Sequence, residues 1–279
     1  MAYRTILVHV DDTRHAQQCI DVAARIAQTE NAHLIGASSS GIRMPFYPTG
    51  IPDPYLPAMS ASFELVQERI KCALSLFEAA MERIGVPSFE TRLIDGESGE
   101  AVSMLARHCD LVVLGQADPD DPAPLVPPDF PEYVIMHCGR PVLVVPFAGK
   151  FDTIAQRPLV AWDASTSAAR AVADALPFLR RAGQLEQIMF NPEKLGATHG
   201  RQSETDIALY MTRHGIKVNA THRSADGPVG PALLRMATEL GSDLIVMGAY
   251  GHRRFREILL GGVTRSILNS MTVAALMSH

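Results

Sequence analysis

Short continuous apolar runs recur along the chain, and stretches with helical spacing of apolar positions separate them. In the first half the pattern predicts strands at about 4–10, 32–38, 88–94, 110–114 and 141–145. Helices are predicted between them at about 14–29, 57–85, 98–108 and 130–138. Val8, Val112, Val113, Val144 and Val145 lie in runs without polar alternation. That is the signature of parallel strands buried on both faces. The second half repeats the alternation, with strands at about 157–162, 185–190, 216–221, 243–247 and 272–276. Its helices are predicted near 166–182, 202–214, 229–240 and 262–270. Strands alternating with helices imply right-handed βαβ units and a doubly wound α/β sheet.

The two halves also match residue by residue. Ile6–Asp12 resembles Pro158–Ala164, and Asp110–Gly115 matches Asp243–Gly248. Pro141–Pro146 sits where the second half has Thr272–Met277. Three matches in one order point to a tandem duplication. The expected domains are residues 1–147 and 157–279, joined by Phe147–Gln156. Met44–Pro57 and Asp118–Pro131 are rich in proline and read as loops, because proline cannot continue a helix or a central strand.

Charge sharpens this picture in one respect. The chain of 279 residues carries 25 Lys and Arg against 30 Asp and Glu. This balance excludes a generally basic nucleic-acid binder and an acidic disordered chain. Residues 1–150 hold 11 basic and 19 acidic residues, 11 − 19 = −8, and residues 151–279 hold 14 and 11, 14 − 11 = +3. An anionic ligand is therefore sought in the second half. No apolar run reaches membrane-spanning length, so no membrane helix is expected. The apolar start meets Asp11 and Asp12 at once and reads as a first strand, not a leader. Cys19, Cys72, Cys109 and Cys138 form no CxxC pair and read as free buried thiols in a reducing cytoplasm.

One motif carries chemistry. The fourth strand of the second half runs into Gly248, then Gly251, and after nine intervening residues Gly261-Gly262 precede a helix. Glycine lets a backbone approach an oxyanion and adopt φ > 0. Successive N–H groups make an anion nest, and a helix N-terminus adds free donors and its dipole. The position fits too, since ligands of open α/β sheets sit beyond the carboxyl ends of the strands. Each feature has a plainer reading: Gly248 and Gly251 as turn residues, Asp163 as a neighbour of a helix cap, and the 252–256 basic run as a solvated loop.

The spacing G-x2-G-x9-G, ending Leu-Gly-Gly-Val-Thr-Arg-Ser-Ile, resembles the universal stress protein family, and the repeat makes the chain similar to a tandem member. The resemblance implies two five-stranded parallel sheets of order 3-2-1-4-5, packed as an intrachain pseudo-dimer through the fifth strands, with a homodimer of tandem chains still open. It also implies ATP, with Mg²⁺ where a cation accompanies it, in the second half. Gly248, Gly251 and Gly261 would match the motif glycines. Backbone N–H groups of Gly262 and Val263 would meet the phosphates, with Thr264 beside them. Asp163 would lie near the ribose, and Ala161 and the backbone at Phe190 would border the adenine.

Two departures from the family pattern matter. ATP-binding members usually place Ser or Thr after the third glycine, where this chain has Gly262. Losing such a hydrogen bond costs about 0.5–1.5 kcal/mol, or about 1.5–3 kcal/mol toward a charged group. In the first half, Gly115 is followed by Asp118 where the second glycine belongs, so that half is expected not to bind ATP. No GxSxG, HExxH or Walker A pattern occurs, and no general base is evident. The expectation is a cytoplasmic stress-response or signalling protein with an unidentified protein partner and at most slow ATP hydrolysis. The alternatives are a nucleotide-independent dimerisation or interaction module and a slow ATP hydrolase.

Overall fold

The computed structural model describes residues 2–41, 56–121, 125–195, 197–250 and 262–279. The first half runs β1 (Thr5–His9), α1 (Ala16–Glu30), β2 (His33–Ser39), α2 (Leu56–Ile84), β3 (Phe89–Ile94), α3 (Ser98–Ala106), β4 (Leu111–Gly115), α4 (Phe130–His137) and β5 (Val142–Val145). The second runs β6 (Pro158–Trp162), α5 (Thr166–Asp174), α6 (Leu176–Leu179), β7 (Leu185–Phe190), α7 (Ala197–Arg213), β8 (Val218–Arg223), α8 (Val229–Leu240), β9 (Leu244–Gly248), α9 (Gly262–Ser270) and β10 (Ala274–Ser278).

Each half has strand order 3-2-1-4-5, and the two join into one sheet of ten strands, β3-β2-β1-β4-β5-β10-β9-β6-β7-β8. All pairings within a half are parallel, and β5 meets β10 antiparallel, with Leu143 opposite Leu276. The inner strands are uniformly apolar because helices cover both faces. Ile6, Val8, Val113, Val160 and Val246 face one layer, and Leu7, Val112, Leu159 and Ile245 face the other. Burying such a branched side chain contributes roughly 1.5–3 kcal/mol. The outermost strands carry charged and polar residues, with β8 largely exposed and β3 mostly half-buried, which discourages edge pairing.

Contacts across the seam extend beyond the two central strands. The Tyr3 hydroxyl donates to the Asp174 carbonyl at 2.7 Å. Buried Glu30 pairs with Arg181. Gln116 Nε2 donates to the Leu268 carbonyl at 2.8 Å, and Gln116 Oε1 accepts from Phe147 N at 3.2 Å. The end of α9 is thereby tied to the end of β4.

Three expectations from the pattern are corrected. The last strand lies two residues later than expected: Ala275 and Val142 occupy corresponding rungs beside Ile245 and Val112. A shift of two keeps every side chain on its original face, so the apolar pattern could not exclude it. The helix expected over 166–182 breaks at Ala175, because Pro177 cannot donate to the preceding turn. Cys72 is exposed on α2, while Cys19, Cys109 and Cys138 are buried. No helix among the described residues is long and apolar enough to cross a membrane.

Candidate functional site

The strand order reverses between β1 and β4 in one half and between β6 and β9 in the other. Each reversal leaves a crevice at the carboxyl ends of the strands. The register pairs Ile6 with Leu111 and Pro158 with Leu244. The repeat therefore superimposes His9 on Ala161, Asp11 on Asp163, and Gly115 on Gly248. Counting back from Val142 and Ala275 places Phe130 at the position of Val263 and Asp129 at that of Gly262.

The turns after β1 and β6 are built alike. Asp11 Oδ1 accepts from Thr13 N at 3.1 Å, and Asp163 Oδ1 accepts from Ser165 N at 3.0 Å. Asp163 is exposed, and Ser165 caps α5 by accepting from Ala168 N at 3.1 Å. Asp163 therefore shapes the turn into α5 at the rim of the second crevice.

Gly248 has a packing reason of its own. A Cβ there would meet Ala168 N at 2.4 Å, Ser167 Oγ at 2.6 Å and the Ser167 carbonyl carbon at 2.7 Å. Its lack of a side chain lets the start of α5 lie directly on the end of β9. At Gly115 a Cβ would meet none of the described residues within 4 Å. The chain then enters Tyr250 at φ 55°, a left-handed conformation uncommon for a residue with a side chain. Thr264 is buried, and its hydroxyl accepts from Tyr250 N at 3.4 Å. This hydroxyl holds the end of β9 to the first turn of α9. Burial, with the Glu132 carboxylate nearby, pushes the Tyr250 phenol above its ordinary range.

Gly262 is exposed at the start of α9, and a Cβ there would meet none of the described residues within 4 Å. Val263 is half-buried beside it, and Arg265 is exposed one turn on. Ala161 is half-buried at the end of β6, and Phe190 is half-buried at the end of β7. The parallel register of β6 and β7 keeps these strand ends side by side. Gly251, Gly261 and the basic run of 252–256 lie outside the described residues.

The first crevice is filled by the protein's own side chains. The His9 ring packs on Phe130, with centroids 4.6 Å apart, and both residues are buried. Burial holds the imidazole below its ordinary pKa against the opposing pull of Asp11, whose carboxylate is 3.8 Å away. Asp118, expected to repel a polyphosphate, is itself engaged. It accepts from Arg14 Nη2 at 2.6 Å and lies 3.2 Å from His15 Nε2. The Arg14 guanidinium, helped by the Asp120 amide, holds the Asp118 carboxyl below the usual carboxylate range.

The residues missed from sequence are His9 and Phe130. The repeat carried half of the signal, since it sets the His9 imidazole over Ala161; Phe130 falls over Val263 only in the strand register of the structure. The His–Cys pairs form no metal centre. His137 stacks on Tyr133, and among the described residues no three His, Cys, Asp or Glu side chains are placed to hold an ion.

Comparison with known proteins agrees with the architecture. A curated universal stress protein, Slr1230 of Synechocystis, is 24% identical over 220 residues, covering 76% of this chain and 73% of its own. The crystal structure of a universal stress protein from Archaeoglobus fulgidus is 18% identical, covers 98% of this chain and 95% of its own, and superimposes with a TM-score of 0.68. A universal stress protein solved in complex with cAMP matches 53% of this chain over its full length, at 23% identity and a TM-score of 0.39. The model of the universal stress protein family matches residues 2–146 and again 155–279, so the chain belongs to that family twice over.

Proposed function

We propose that this protein is a stress-response or signalling protein that binds ATP at the carboxyl end of its second half and catalyses little or nothing. One observation carries the reading. Where the first half sets His9, Phe130 and Asp129, the second sets Ala161, Val263 and Gly262, removing two rings from the crevice and a carboxylate from the start of the following helix. Small residues at a switch point leave room for a base and approach for a phosphate.

In this reading Ala161 and the backbone at Phe190 border the adenine, and Asp163 at the crevice rim serves the ribose. Gly248, Gly251 and Gly261 shape the backbone around the phosphates. The N–H groups of Gly262 and Val263, at the start of the nine-residue helix α9, supply donors and a favourable dipole. Bound Mg²⁺ would neutralise part of the phosphate charge. Thr264 acts indirectly, because its hydroxyl holds the Tyr250 amide. With Gly262 offering no hydroxyl, affinity rests on backbone donors.

The test is the nucleotide content of freshly purified protein, followed by calorimetric titration of the stripped protein with Mg-ATP. The expected result is about one ATP per chain, because this reading confines the site to the second half. No bound nucleotide and no heat up to millimolar ATP would overturn the reading and favour a nucleotide-independent interaction module, for which the bare Gly262 speaks. Steady release of ADP in the presence of Mg²⁺, lost in Asp163→Ala, would point instead to a slow hydrolase.

A further inference from the structure

A second cavity lies outside the crevice, between the ends of β7 and β8 and the side of α8. Its volume is about 430 Å³, within the size range of small-molecule sites. It shares only Phe190 with the candidate nucleotide residues.

The cavity has a built frame. Asn191 is buried at φ 53°, its N–H donates to the Arg223 carbonyl at 3.0 Å, and its Oδ1 accepts from Ala225 N at 2.8 Å. This pins the start of the 224–228 connection. The first half crosses the same place with the shorter 95–97 connection. There Ser39 Oγ donates to the Gly96 carbonyl at 2.9 Å, and Glu97 caps α3. By register Ser39 corresponds to Phe190 and Ile94 to Arg223. Counting along the helices from Ser98 and Val229 places Met104 at the position of Arg235. The longer connection, the ring and both arginines are thus confined to the second half.

The lining divides by chemistry. Half-buried Phe190 and buried Met236 give an apolar floor, and exposed Pro228 and Pro231 line the side without amide donors. On the rim Arg223 and Glu239 lie 3.4 Å apart and offset each other. Arg235 and Asp226 are both exposed there, and neither has a charged partner among the described residues. One cation and one anion are left over an apolar floor.

We infer that this cavity is a second ligand site, for a small zwitterion with an apolar body, of the class of the large apolar amino acids. The Arg235 guanidinium receives the carboxylate, Asp226 receives the ammonium group, and the body lies on Phe190 and Met236. The inference stands independently of ATP in the neighbouring crevice.

The test uses the full chain and L-phenylalanine as probe, by saturation-transfer NMR and calorimetry. Binding is expected in the range of roughly 1–10 mM, ordinary for so small a ligand. Phenylpropionate, lacking the ammonium group, and phenethylamine, lacking the carboxylate, should each bind about tenfold more weakly or worse. Arg235→Gln should weaken phenylalanine by about tenfold, and Ala232→Phe should abolish binding by filling the cavity. Both variants should keep the melting temperature and the response to Mg-ATP of the parent chain. No binding by about 20 mM phenylalanine, equal binding of the singly charged analogues, or an unchanged affinity in Arg235→Gln would each overturn the proposal.

Discussion

The crevice between β1 and β4 and the crevice between β6 and β9 share one backbone plan and differ in what occupies the space. Matching turns hold Asp11 and Asp163 at almost the same hydrogen-bond distance. Yet the first crevice contains a tilted His9–Phe130 ring pair and an Arg14–Asp118 ion pair, where the second has Ala161, Val263 and an exposed Gly262. Neighbouring side chains can close a ligand site without moving a strand. Fold alone therefore says little about which half binds anything.

The sharpest way to break the comparison is at its paired glycines. Gly248→Ala drives a Cβ into the backbone of α5, and an overpacked site of this kind costs about 1–3 kcal/mol or more. Gly115→Ala meets none of the described residues and should stay within about 0.5 kcal/mol of the parent. Urea unfolding of both variants checks this, and equal losses would mean that the two helices do not differ in their approach to the sheet.

Next in size is a transplant of the plug. Ala161→His with Val263→Phe copies the first crevice into the second. Mg-ATP affinity should fall by at least about tenfold, because the added rings occupy the space assigned to the base. Calorimetry reads the affinity, and a melting temperature at or above that of the parent shows that the fold survives. Unchanged affinity would place the nucleotide elsewhere.

A smaller gain is expected from Gly262→Ser. A Cβ there meets none of the described residues within 4 Å, so the hydroxyl should enter without a clash against them and tighten Mg-ATP several-fold, up to about tenfold. Weaker binding would show that Gly262 serves through backbone freedom instead.

The smallest effect is on acid stability. Burial lowers the folded pKa of His9, so below about pH 6.5 the unfolded chain binds a proton that the folded chain resists. Stability contributed by neutral His9 is complete above that pH and falls as the pH drops toward the folded value, by at most about 1.4 kcal/mol per pH unit. His9→Leu should flatten the melting temperature between pH 7 and 5, a window well above typical carboxylate pKa values. The depressed carboxyl of Asp118 acts in a separate range. Its contribution is present above about pH 3.9 and is lost as the pH falls through its lower folded value.

Much of the architecture was legible because the apolar runs of β1, β4, β6 and β9 leave no polar face to expose. Strand order came with the resemblance, not with the runs themselves. The end of the chain was harder to place. Val273-Ala274-Ala275-Leu276-Met277 is apolar throughout, so only the hydrogen-bond ladder to β9 sets its register. Of the candidate residues, Asp163 and Gly248 announce themselves through strand ends and turns. The role of Gly248 against Ser167 and Ala168 could not be read, because it depends on how closely α5 packs. Nor does any local pattern join His9 to Phe130 or Gln116 to Leu268, since each pair is distant along the chain and meets only once the sheet is assembled.

The antiparallel junction of β5 with β10 has a consequence for how such a molecule can change. A two-fold dimer of identical chains inherits each substitution twice, so losing one crevice means losing both. Joining the halves in one polypeptide lifts that symmetry, and His9 and Ala161 can then diverge under separate selection. The junction is also unimolecular. Dilution cannot part its strands, and the sensitivity to concentration that governs a two-chain assembly does not apply to it.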